Sequence, residues 1–87
     1  MTPENQKYFE TYLDLFVTPG WKQFQEEMKE VFGSLQLDFA NDYESFIRMK
    51  SAREQLSRII NFEAYIRMAM DNENADEKEA QDEGDNS

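Results

Sequence analysis

With 87 residues, nineteen acids against nine bases and a net charge of −10, the chain amounts to one domain at most, and its core must be small. That charge argues against direct contact with DNA, RNA or an anionic membrane, each of which relies on a basic surface, and leaves a basic protein partner compatible. Having neither Cys nor His, the chain excludes disulfides and thiolate metal sites and lacks both the usual general base and the commonest transition-metal ligand.

The first ten residues, MTPENQKYFE, are acidic and polar where a signal peptide needs a basic start and an apolar stretch of roughly 7–15 residues. No run approaches the roughly 18 apolar residues of a membrane span. Thr2-Pro3-Glu4 is a helix start: Thr as N-cap, Pro at the first helical position and an acid where the macrodipole favours it. Tyr8, Phe9, Tyr12, Leu13, Leu15 and Phe16 share one broad face, with Lys7, Glu10 and Asp14 opposite, so the first helix is amphipathic. The start signal recurs at Thr18-Pro19, and the second helix carries Trp21, Phe24, Met28, Val31 and Leu35 at alternating spacings of three and four, a narrow stripe of coiled-coil type. Gly33-Ser34 weakens its end, and residues 37–41, LDFAN, have no clear helical phase and read as a connection.

Residues 42–70 contain neither Pro nor Gly, so nothing in them forces a helix to stop. Asp42 is the expected N-cap. Met49, Ala52, Leu56, Ile59, Ile60, Ile66 and Met70 fall on one side, a seam for a partner helix. Glu44 with Arg48, Glu54 with Arg58 and Glu63 with Arg67 stand at i,i+4 with the acid first, the favourable order. The span of about 40 Å matches the two shorter helices laid end to end. The connection turns the second helix antiparallel to the third, which leaves the first to cover the third helix's C-terminal portion.

Residues 71–87 hold eight acids, one base and no large apolar side chain, a composition that cannot bury enough surface to offset its ordering entropy. The expectation is therefore an all-α fold: a helical domain over residues 1–70, with helices at about 3–17, 19–35 and 43–70, followed by a disordered acidic tail over 71–87.

The polar constellations read as surface. Glu26, Glu27 and Glu30 share a helix face with Lys22 and Lys29 and resemble no calcium loop. Paired-carboxylate hydrolysis needs two acids held across a cleft, and nothing in the sequence identifies one. Arg48, Lys50, Arg53 and Arg58 are interleaved with Glu44 and Glu54 and read as surface pairs. The expectation is no enzyme, no metal and no cofactor.

Twelve aromatic residues in so short a chain serve either as an internal core or as anchors for a partner. Phe62, Tyr65 and Ala69 lie away from the main seam, so the end of the long helix is apolar on more than one side. One short helix cannot cover both sides, whereas a second chain could. Phe62, Tyr65, Ile66, Ala69 and Met70 are accordingly the expected protein-interaction residues. Glu63, within the main stripe, is expected to pair with Arg67, to stay at an edge or to meet an Arg of another subunit.

Pro19-Gly20-Trp21-Lys22, followed by an acidic, aromatic connection and then by Arg48-Met49-Lys50 and Leu56, Ile59 and Ile60, resembles short helical-hairpin proteins of tailed bacteriophages over residues 18–67. Ser51 stands where such proteins often have Gly. The resemblance implies a phage-encoded hairpin near virion or packaging functions, in the host cytoplasm or on the virion, and implies no catalytic residue. The expected function is a non-enzymatic structural or assembly protein that self-associates, as a homo-oligomer, or docks on a protein partner, without direct nucleic acid, membrane or small-molecule substrate. The alternative is an acidic inhibitor that occupies the basic groove of a host RNA polymerase or nuclease, with the tail as mimic, as screen or only as solubiliser.

Overall fold

A computed structural model describes residues 1–85, with side chains described for residues 1–78. The fold is all-α: α1 spans Pro3–Phe16, α2 Pro19–Ser34, a 3-10 turn Leu37–Phe39, α3 Tyr43–Ile60 and α4 Phe62–Asp85. All three expected caps form. Thr2 and Thr18 accept backbone N–H bonds from Asn5 and Trp21, each at 3.1 Å, and Asp42 accepts that of Ser45 at 2.7 Å. Each satisfies one of the four N–H groups that a helix start leaves unpaired.

The expected single helix over 43–70 is divided at Asn61, whose φ of −93° and ψ of 4° lie in the bridge region beside the helical well. Asn and Ser compete locally for hydrogen bonds, and here the Asn61 amide donates to Ser57 Oγ at 3.2 Å. The Ile59 carbonyl beside the break, which faces the Asn61 backbone N–H, also accepts from the Gln25 amide of α2 at 3.0 Å.

The expected disordered tail finds no support. The structure carries α4 through residues 71–85 as helix, and residues 86 and 87 of that expected tail lie outside the described residues. Two contacts hold its first part, one from α1 and one from the residue at the chain's N-terminus. Asn5 Nδ2 donates to Glu73 at 2.6 Å, and the N-terminal amine pairs with Glu77. Because α4 runs antiparallel to α1, its acids lie beside the positive end of the α1 dipole. The composition argument weighed only apolar burial, and this contact is electrostatic.

The contacts divide the chain into two compact units. One is the hairpin Thr18–Phe62, formed by α2 and α3. The other pairs Met1–Val17 with the chain from Glu63 onward, so α1 lies along α4, the Arg67 guanidinium stands 5.8 Å from the Phe16 ring, and Tyr12 stacks on Phe16 at 6.0 Å. Among the described residues the buried ones, Phe9, Phe16 and Ile66, all belong to this second unit.

Candidate interaction surface

In the hairpin, packing and polar ties combine. Arg53 of α3 donates to the carbonyls of Phe32 and Leu35, at 3.3 and 2.6 Å, and its guanidinium lies 4.1 Å from the Phe32 ring. It thereby binds the C-terminal carbonyls of α2, which has no basic residue in its own last turn. Arg48 pairs with Glu44, so two of the four bases of the expected basic stretch are engaged within the hairpin. The expected partner pair, Glu54 with Arg58, does not form within 4.0 Å among the described residues.

At the open end of the hairpin, Trp21 packs edge-on to Phe62 with ring centroids 6.3 Å apart. Together with Phe24, Ile59 and Arg58 these rings line an apolar cleft of about 310 Å³. At the closed end, the 3-10 turn presents Phe39 at 67% exposure, and α3 begins with Tyr43 at 77%. No residue of the whole hairpin unit is fully buried.

The expected interaction residues are distributed differently from the single patch that helical angles suggest. Phe62 is half-buried and belongs to the hairpin cleft. Tyr65 is open at 61%, and Met68, one turn along, at 58%. Ile66 is interior at 1%, while Ala69 and Met70 are half-buried. Met70 lines a hollow of about 450 Å³ with Phe9 and Leu13 of α1. Glu63 pairs with Arg67 at 3.1 Å at a partly exposed edge. The exposed partner of Tyr65, Met68, and the cleft residues Trp21, Phe24 and Ile59 escaped the sequence reading. Trp21 and Phe24 have the spacing of a core stripe, which favours an internal seam. Only the narrowness of that stripe hinted that one neighbouring helix would leave its flank uncovered.

Charge separates the two units sharply. The hairpin holds six bases and seven acids, and the α1–α4 unit three bases and twelve acids. Among the described residues no group of His, Cys, Asp or Glu could hold a metal ion, and no helix is long and apolar enough to cross a membrane. Comparison with protein-family models, curated proteins and solved structures finds no match to this chain.

Proposed function

We propose that this chain is a non-enzymatic structural or assembly protein that acts through its helix faces, by self-association or by docking on a larger component. Its resemblance to phage helical hairpins makes a virion or packaging component the partner class, in the host cytoplasm or on the virion. The observation that carries this reading is the absence of any buried residue from the α2–α3 hairpin, in which Phe24, Phe39, Tyr43 and Phe46 are exposed. Large apolar side chains left open to water gain free energy when another surface covers them. Such contacts outlast salt, because screening acts on charge pairs and spares apolar burial.

The test is native co-purification and size-exclusion chromatography with light scattering, at low ionic strength and at about 0.5 M NaCl. The complex should persist in the salt and weaken when Phe24→Glu or Tyr65→Glu places a carboxylate on the apolar face. Complexes that dissolve in the salt and ignore both substitutions would overturn the reading.

A second reading has one observation in its favour: Asp71, Glu73, Asp76 and Glu77 lie on a continuous helix in the unit that carries twelve acids. A helical acidic surface suits an inhibitor that fills the basic groove of a polymerase or nuclease. That reading requires a steep fall of binding with salt and its loss on removal of residues 71–87.

A further inference from the structure

The two ends of the α2–α3 hairpin have complementary shapes and charges. The open end is a cleft walled by Trp21, Phe24, Ile59 and Phe62, with Arg58 on its lining. An enclosed apolar cavity of only about 150 Å³ already accepts benzene, so about 310 Å³ has room for an aromatic ring. Arg58 has no acid within salt-bridge distance among the described residues. The closed end offers what such a cleft takes: Phe39 projects from the 3-10 turn at 67% exposure, and Asp38 precedes it in the same turn.

One chain cannot bring these ends together. The sixteen residues of α2 hold them about 24 Å apart at 1.5 Å per residue. We infer that the cleft is filled by the turn of a second copy, with that copy's Phe39 seated among Trp21, Phe24, Ile59 and Phe62 and its Asp38 carboxylate against Arg58. Two hairpins laid antiparallel about a two-fold axis place each turn on the other's open end, so both contacts form and the assembly closes as a dimer of helix pairs. This rests on the association reading above and names its partner and its site.

Charge selects the second copy as occupant. With six bases against seven acids, the hairpin approaches its own kind with little repulsion, and the Asp38–Arg58 contact is made twice. The α1–α4 unit, with twelve acids against three bases, repels its like and keeps the assembly soluble. An acidic partner would meet a single unpaired guanidinium at the cleft. A basic one would have no acid on the cleft lining to meet.

The experiment is sedimentation equilibrium on the full chain, with far-UV circular dichroism to verify that each variant keeps its helices. The wild type should dimerise. Phe39→Ser, at an exposed turn position that the fold does not depend on, should weaken dimerisation about 30-fold or more, as expected for an aromatic anchor. Arg58→Glu and Asp38→Arg should each weaken it about tenfold, and the double reversal should return to within about threefold of the wild type. A wild-type chain that remains monomeric at about 0.2 mM overturns the second copy as occupant, whereas docking on a larger component is read separately by salt-resistant co-purification. A dimer indifferent to Phe39→Ser and to the charge reversals overturns this site and leaves self-association through another face.

Discussion

The two units are both helix pairs yet hold together differently. The α1–α4 pair contains the side chains that are buried among the described residues, Phe9, Phe16 and Ile66, and carries most of the negative charge. The α2–α3 hairpin buries no residue completely and is tied by Arg53 across the end of α2 and by Gln25 across the break at Asn61. A helix pair can thus be stabilised by excluding water or by satisfying the carbonyls that helix ends leave open. Both leave apolar side chains open, Tyr8, Val17, Tyr65 and Met68 in the α1–α4 unit and Phe24, Phe39 and Tyr43 in the hairpin, and the association proposed above draws on the hairpin's.

The sharpest way to break this comparison is to delete the same atoms from each unit. Ile66→Ala removes an interior side chain and should cost about 2–5 kcal/mol in urea or thermal unfolding, whereas Ile59→Ala, at a half-buried position, should cost about 1–2 kcal/mol. Equal costs would erase the distinction. The hairpin should instead be sensitive to its polar ties. Arg53→Ala leaves the Phe32 and Leu35 carbonyls without their charged donor, and a loss of about 1–3 kcal/mol is expected. Thr18→Ala removes the N-cap of α2 at about 1 kcal/mol, measurable by the same unfolding curves.

A gain of stability is available at Gly33. A Cβ built there meets nothing within 4 Å and its backbone is helical, so Gly33→Ala should stabilise α2 by about 0.5–1 kcal/mol. The smallest effect is one of pH. Asp42 is held below the ordinary value of 3.8, first by the backbone N–H of Ser45 and then by its side chain. A lowered carboxyl contributes its stability in full above the ordinary value and loses it as pH falls through the folded value. Helicity followed by circular dichroism should therefore decline on acidification below about pH 4, and Asp42→Asn, which keeps the cap, should remove that component.

Much of this architecture was legible in the residues. Thr2-Pro3, Thr18-Pro19 and Asp42 declare where helices begin, since a capping oxygen and a preset φ act over three or four residues and need no distant partner. The aromatic stripe of α2 and the ion pairs Glu44–Arg48 and Glu63–Arg67 follow from helical spacing alone. What interrupts a helix is less local: Asn61 and Ser57 carry a signal, their i,i+4 polar pair, and Gln25 of another helix adds a bond to the Ile59 carbonyl beside the break. The same holds for the acidic stretch beyond Met70, where composition opposes order and Asn5 supplies the contact that favours it.

The candidate surface divides along the same line. Periodicity places Phe62, Tyr65, Ile66, Ala69 and Met70 on one helix end, and it is silent on which of them neighbouring helices cover. Only packing decides that Ile66 is sealed and Tyr65 open, and that Trp21, Phe24, Ile59 and Phe62 leave a gap between them. Local bonds and helical phase are written along the chain, whereas burial is a property of what arrives from elsewhere. Helix starts and apolar stripes here follow from near neighbours along the chain, and which side chains stay uncovered follows from how the helices pack.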